Sequence, residues 1–271
     1  QTSEGLRLQG IATESDAQVD IDLEDIPPVR VVVRNSSVFY VDRTRGESLW
    51  QFDSVTMTLD RDDERIFLEA RVDAPHDLGS RIELSAEREL QTSGTSDDER
   101  WRLFIDLRQA DLAELAQLLP NNNGALPETG MGDFSFWLYW QQGELLEATA
   151  QLAARNLVLA GTSELGWQDF SYDNVDLTAE WSRADRGWQL ALSNVSVVRN
   201  GRIWPDDSHV DLKVGVGPEG LDLLGLRANF LRLEDVGPFV NLLPEDFKSY
   251  PWAELAPQGD LVDVALDLIH T

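Results

Sequence analysis

The sequence predicts a mainly β protein whose long, curved antiparallel sheet forms an open groove with two short amphipathic helices. Apolar residues recur at every second position along most of the chain, and polar turn segments separate these runs. Only two short segments change to a helical period. Alternation of this kind is typical of a sheet with one apolar and one solvated face. A closed β-sandwich is the alternative that the same pattern allows.

The alternating runs predict about thirteen strands, joined by acidic or Gly-containing turns such as "DRDDE", "QQGE" and "SRADRG". In each run one alternating set is more apolar and is expected to face inward. The candidate groove-lining residues selected in this way are Ile66, Leu68, Val72, Ile82, Leu84, Leu103, Ile105, Phe134, Phe136, Leu138, Val175, Leu177, Leu190, Leu192, Val210 and Leu212.

The two helical segments are related to each other. Residues 107–120, "LRQADLAELAQLLP", and residues 231–244, "LRLEDVGPFVNLLP", agree at six of fourteen positions. We expect helices over 111–119 and 235–243, each with an Asp at its N-cap, Asp111 or Asp235, and with a Pro after its last turn. Such short amphipathic helices must pack on the sheet to be stable.

The repetition predicts two β-groove repeat units, residues 1–130 and 131–271, each containing one of these helices. Gly132-Asp133 and Gly259-Asp260 follow the two helices at equivalent places. The chain opens without Met and without a basic segment followed by an apolar one, so we expect it to be an internal section of a longer protein.

Composition excludes several functional classes. The chain has 49 acidic and 22 basic residues, a net charge of −27, which disfavours nucleic acid and simple docking on anionic membranes. No cysteine is present, so thiol catalysis and Cys-bound zinc are excluded. His76, His209 and His270 are scattered without metal-ligand spacing, and nucleotide-binding or nucleophile motifs are missing. We expect neither catalysis nor a cofactor nor a metal.

Two short helices cannot cover so much one-sided sheet. An open trough would expose a long apolar lining, which suits an acyl chain because each buried methylene contributes roughly 0.8 kcal/mol. A filled core would instead indicate a structural or adhesive protein. Carbohydrate binding through stacked tryptophans is a third possibility, although Trp101, Trp140, Trp181 and Trp188 continue apolar strand faces, which favours packing.

Three phrases of the sequence resemble a known family. "WRLFIDLRQADLAELAQLLP" (101–120), "GDFSFWLYWQQGELLEATAQLAARNLVLAG" (132–161) and "PWAELAPQGDLVDVALDL" (251–268) are similar to the YhdP family of periplasmic AsmA-like proteins of Gram-negative bacteria. The resemblance implies a long, repeated, taco-like β-groove, a parent chain anchored in the inner membrane, and movement of phospholipid between the inner and outer membranes. It transfers no individual lipid-contacting residue.

Overall fold

The computed structural model describes residues 27–42, 48–75, 78–90, 100–118, 126–160, 169–217, 220–237 and 257–269. These residues form thirteen strands in one antiparallel sheet. Each strand pairs with its neighbours in the chain, except that the two-residue β10 pairs only with β9, so that β11 lies next to β9. Since β1 and β13 lie at opposite ends of this order, the sheet formed by the described strands is open, which confirms the predicted open sheet over the closed sandwich.

The strands are long because the alternating runs continue across most connections. Their bounds are β1 Val29–Asp42, β2 Ser48–Arg61, β3 Arg65–Asp73, β4 Arg81–Glu89, β5 Arg100–Asp111, β6 Pro127–Gln141, β7 Glu144–Leu159, β8 Phe170–Ala184, β9 Gly187–Arg199, β10 Arg202–Ile203, β11 Ser208–Gly217, β12 Gly220–Arg232 and β13 Asp260–Ile269. One α-helix, α1, spans Leu112–Leu118 within the described residues.

The two long edges of the sheet differ in their connections. At one edge, here called the hairpin edge, β6 turns into β7 through Gln142-Gly143, and β8 turns into β9 through residues 185–186. Gln142 and Gly143 both have positive φ, the pairing required by a tight type I′ hairpin. At the opposite edge, here called the crossover edge, lie α1, β10 and a 3₁₀ turn at Leu233–Asp235.

Residues with left-handed backbone interrupt several strands near the crossover edge. Examples are Asn35 in β1, Gln109 in β5, Asn156 in β7 and Asn194 in β9, and the strand registers shift beside all four. Bulges bend strands and increase their twist. This edge is therefore where the sheet departs most from a flat ladder.

The first predicted helix is confirmed, one residue shorter at each end. The Asp111 carboxylate accepts hydrogen bonds from the Ala113 and Glu114 amides at 3.0 and 3.3 Å, which is the predicted N-cap. Leu112 and Ala116 are buried. A Cβ at Gly130 would lie 3.0 Å from the Leu112 side chain, so the helix rests directly on β6.

Most of the second predicted helix, 235–243, lies outside the described residues. The chain after β12 enters the 3₁₀ turn, and among described residues the Asp235 carboxylate binds other side chains. The division into units 1–130 and 131–271 stays a prediction. Asp133 accepts a hydrogen bond from the backbone N–H of Gln109 in β5, and Asp260 accepts one from the Arg232 side chain in β12. The Asp of each Gly-Asp pair therefore binds the preceding long strand.

Candidate functional site: the apolar face of the sheet

The registers of the strands align apolar side chains into unbroken rows. One row, here called the leucine row, crosses twelve strands without a polar residue. Its members are Val31, Leu59, Leu68, Ala86, Leu103, Leu138, Ala148, Trp181, Leu190, Leu212, Leu226 and Leu266.

A second row runs parallel to the first, two residues along each strand, and it is also entirely apolar. It consists of Val33, Met57, Ala70, Leu84, Ile105, Phe136, Ala150, Ala179, Leu192, Val210, Ala228 and Val264. Because residues two apart on a strand share a face, the two rows define one continuous surface, here called the apolar face.

All sixteen candidate lining residues lie on the apolar face. Fourteen of them are partly exposed, and only Ile66 and Val175, with 6% and 8% of their surface accessible, are buried. The alternation of the two faces continues unchanged through the candidate residues, because the bulges of β5 and β9 lie closer to the crossover edge than the candidate residues of those strands do. Whether these side chains contact lipid stays a prediction.

The apolar face has no second sheet over it within the described ranges, since every described strand belongs to the same sheet. Val31 and Leu266, at the two ends of the leucine row, retain 40% and 41% of their surface accessible. In a filled sandwich the residues of such a row would be buried. The described part of the chain thus presents a broad apolar surface that its own strands do not cover.

The crossover edge closes the apolar face on one side. A buried cluster there includes Leu112 of α1, Leu157 of β7, Phe230 of β12 and Trp204, which lies between β10 and β11. Leu177, Leu192 and other partly buried residues of the apolar face near this edge pack against the cluster. The Trp204 and Phe230 rings meet edge to face with centroids 5.3 Å apart. This core cluster forms a wall beside the open surface.

A network of buried polar groups holds that wall together. The Asp235 carboxylate is 3% exposed and accepts hydrogen bonds from the Trp204 indole N–H at 2.8 Å and from Arg199 at 3.0 Å. The Tyr172 hydroxyl donates to the Asp235 carbonyl oxygen at 2.7 Å. A flat sheet would separate β8 from β12 by roughly 14 Å. The contact between Tyr172 and Asp235 therefore shows that the chain after β12 turns back across the edge.

The charges of this network are balanced. Arg232 is 6% exposed, and its Nε lies 2.9 Å from Asp260 Oδ1, a hydrogen bond that lowers the pKa of the Asp260 carboxyl. The Arg199 guanidinium lies over the Phe170 ring, 5.1 Å from its centroid. Burial raises the pKa of Tyr172 above its ordinary value, so its hydroxyl stays a protonated donor. We call Tyr172, Arg199, Trp204, Arg232 and Asp235 the Asp235 clamp.

The hairpin edge of the apolar face carries a different set of side chains. Arg61, Ile66, Arg88, Trp101 and Trp140 lie opposite one another on five neighbouring strands, from β2 to β6. The Arg88 guanidinium carbon lies 5.7 Å from the centroid of the Trp101 ring. This edge therefore combines positive charge with aromatic surface.

The opposite face of the sheet is polar and contains a groove of about 690 Å³ between β7 and β13. Charged side chains line it, including Glu147, Glu180, Asp211, Lys213 and Arg227, and Arg227 is paired with Asp267. An acyl chain in this groove would desolvate carboxylates and gain little. We place the candidate site on the apolar face for this reason.

Chemistry of other kinds has little support in the described residues. No group of three or more His, Asp or Glu side chains in these ranges is arranged to hold a metal ion. The helix found there, α1, has seven residues, and no described helix is long and apolar enough to cross a membrane.

Comparison with known proteins gives the family. Residues 9–271 match the model of the family described as YhdP protein. The chain belongs to the YhdP family. A search of curated proteins and of solved structures gave no match. The YhdP family is associated with periplasmic bacterial proteins and with an AsmA-like, lipid-transport type of domain, and it is not an enzyme family.

The sequence analysis missed two features of this YhdP-family chain. Arg61 and Arg88 follow the apolar sets Met57-Leu59 and Leu84-Ala86 at the same period of two, so the alternation itself places them on the apolar face. The Asp235 clamp left no comparable signal, because its members are far apart in the chain and belong to no shared periodic pattern.

Proposed function

We propose that this section of a YhdP-family protein binds phospholipid acyl chains on its apolar face. The observation that carries the proposal is the pair of apolar rows that cross twelve strands and remain partly exposed at every position except Ala228. A surface of this extent is expensive to leave in water, whereas each methylene of an acyl chain placed on it contributes roughly 0.8 kcal/mol.

In the complete protein, the groove moves phospholipid between the inner and outer membranes. The rows run across the strands from β1 to β13, so a lipid can pass from one strand to the next without meeting a polar barrier. We infer that the parent chain is anchored in the inner membrane and that this section lies in the periplasm. Transport needs no reacting group, and we infer that the chain has no catalytic role of its own.

Two adjacent residues of β7 provide a matched test. Ala148 lies in the leucine row, and Thr149 points to the polar face beside Glu180. Ala148→Asp places a carboxylate in the middle of the apolar face, whereas Thr149→Asp adds the same charge on the other side. We expect the wild-type protein and Thr149→Asp to retain bound phospholipid, and Ala148→Asp to lose most of it.

Bound lipid is measured by native mass spectrometry and by extraction of the purified protein, with circular dichroism to confirm that each variant is folded. An apolar fluorescent probe gives a second readout on the same three proteins. A wild-type protein that carries no lipid and binds no probe contradicts the proposal. Equal lipid loss in both variants contradicts the assignment of the site to the apolar face.

A further inference from the structure

Charged residues on the apolar face are restricted in sign and in place. Across the described strands, between the bulges and the hairpin turns, the charged positions of this face are Arg61, Arg88 and Arg183. All three are arginines, although acidic residues outnumber basic ones by 49 to 22 in the chain. All three lie at the hairpin edge, opposite the core cluster. The face therefore combines an uncharged centre with a rim of arginines, of which Arg183 is paired with Glu144.

Arg61 and Arg88 flank one apolar residue. Arg61 is opposite Ile66, and Ile66 is opposite Arg88, so the two arginines are two strand spacings apart, roughly 10 Å between Cα atoms. Ile66 is 6% exposed, whereas the next residues of β3 on this face are partly exposed. The aliphatic stems of the two flanking arginines explain this burial. At this separation, the stems are long enough for both guanidinium groups to contact one anion placed above Ile66.

The neighbouring positions suit the boundary of an amphiphile. Trp101 is opposite Arg88, and Trp140 is opposite Trp101. Tryptophan favours places where an apolar ring meets a polar surface, as it does at membrane interfaces. Arg61 donates to the carbonyl of Asp62, and Arg88 lies over Trp101, contacts that hold both stems at the rim.

The depth of the apolar face matches a lipid tail. From Ile66 to Val72 the strand β3 advances six residues, roughly 20 Å. One leaflet contributes about half of the ~30 Å hydrocarbon thickness of a bilayer, roughly 15 Å. A tail that starts at the arginines thus fits on the face along the strands before the crossover edge.

We propose that Arg61 and Arg88 bind the phosphate of the lipid headgroup, which fixes the tails toward the crossover edge. Guanidinium groups recognise phosphate through paired, charge-assisted hydrogen bonds. This assignment rests on the proposed function, since it specifies how the same apolar face orients its ligand. It makes the phosphate-bearing amphiphile, rather than any apolar molecule, the preferred ligand.

The test compares two ligands that differ only in the phosphate, 1-lauroylglycerol 3-phosphate and 1-lauroylglycerol, both below their micelle concentrations. Calorimetry measures their affinities for the wild-type protein, for Arg61→Gln/Arg88→Gln and for the control Arg71→Gln/Arg102→Gln. Arg71 and Arg102 lie on the polar face, where they pair with Glu83 and Glu89. Inorganic phosphate is titrated separately.

We expect the wild-type protein and the polar-face control to bind the phosphate-bearing ligand at least about tenfold more tightly, since hydrogen bonds to charged groups contribute on this scale. The Arg61→Gln/Arg88→Gln protein should bind both ligands equally, and Arg61→Lys/Arg88→Lys should recover part of the preference. Inorganic phosphate alone should bind weakly.

An unchanged phosphate preference in Arg61→Gln/Arg88→Gln, or inorganic phosphate that binds as tightly as the lipid, overturns this assignment and leaves acyl-chain binding intact. Equal affinity of the wild-type protein for the two ligands does the same. Failure of the wild-type protein to bind either ligand overturns the proposed function as well.

Discussion

The two long edges of the sheet use the same strands in opposite ways. At the crossover edge, long connections return over the strand ends and bury Leu157, Trp204 and Phe230 with the Asp235 clamp. At the hairpin edge, two-residue turns join β6 to β7 and β8 to β9, and no described strand covers the apolar face. The packed cluster and the accessible apolar surface therefore lie at opposite ends of the same strands.

This difference explains how an uncovered sheet can be stable. Half-exposed rows stabilise a fold less than a buried core, since the free energy gained scales with the area removed from water. The crossover edge supplies the missing stabilisation through a dense cluster and buried ion pairs. The hairpin edge is then free to serve a ligand, and substitutions at the two edges should have different effects.

The largest expected effect is that of Asp235→Ala. The substitution leaves the buried Arg232 and the partly buried Arg199 guanidinium groups without their shared carboxylate and removes the acceptor of Trp204. Breaking a buried pair in this way costs about 3–5 kcal/mol of unfolding free energy. Urea denaturation followed by circular dichroism measures the loss.

The matched control for Asp235→Ala is Glu83→Ala, which removes the exposed ion pair with Arg71 at 2.9 Å on the polar face. It should cost no more than about 1 kcal/mol. Similar losses for the two variants would show that the Asp235 clamp contributes no special stability to the crossover edge.

The next effect compares one substitution at two places. Leu157→Ala opens a cavity in the core cluster, where Leu157 is 8% exposed, and should cost about 2–5 kcal/mol. Leu138→Ala, in the partly exposed leucine row, should cost about 1 kcal/mol because the residue loses less burial. Thermal or urea unfolding gives both values. Equal losses would mean that the apolar face is covered in solution, and the comparison between the edges would fail.

The smallest effect is a pH dependence to which two carboxyl groups of the crossover edge contribute. Hydrogen bonds from Arg232 lower the pKa of Asp260, and bonds from the Gly259 amide and Arg202 outweigh burial and lower the pKa of Glu234. A carboxyl with a depressed pKa in the folded state stabilises the protein above its unfolded pKa, near 4. That contribution is lost as the pH falls through the folded pKa values.

Urea midpoints between pH 7 and pH 2 test this dependence. The wild-type midpoint should fall below about pH 4, whereas Asp260→Asn should begin lower and fall less steeply. Asp63→Asn, an exposed position of the turn between β2 and β3, serves as the control and should follow the wild-type curve. If the urea midpoint of Asp260→Asn falls with pH as steeply as that of the wild-type protein, Asp260 does not contribute to the pH dependence.

The sequence predicted the parts of this fold that depend on period. Alternation identified the antiparallel sheet and the shared face of Leu68, Leu103 and Leu190, and capping chemistry located α1 at Asp111. Alternation left an open groove and a closed sandwich as alternatives, and the scarcity of helices to cover the sheet favoured the open form. Contacts between residues distant in the chain were not predictable. Tyr172 and Asp235 are 63 residues apart, and nothing local to either indicates that one approaches the other.

The sequence contains information on the arginines of the candidate site that the apolar pattern alone does not use. Arg61 and Arg88 occupy positions that alternation assigns to the apolar face, yet a charged residue at the end of a run reads as the start of a turn. Only the register across β2, β3 and β4 shows that the two arginines flank the same isoleucine. Pairing between strands supplies this information, because a single strand does not contain it.

The near-sequential strand order also bears on how such a protein is made. No described strand must wait for a distant segment before it pairs, since each long strand's partners are its neighbours among the long strands of the chain. A chain that emerges gradually can add strands one after another onto the growing edge. Lengthening it by duplication then requires no rethreading, so the reach of the protein can be set by how many strands its gene encodes.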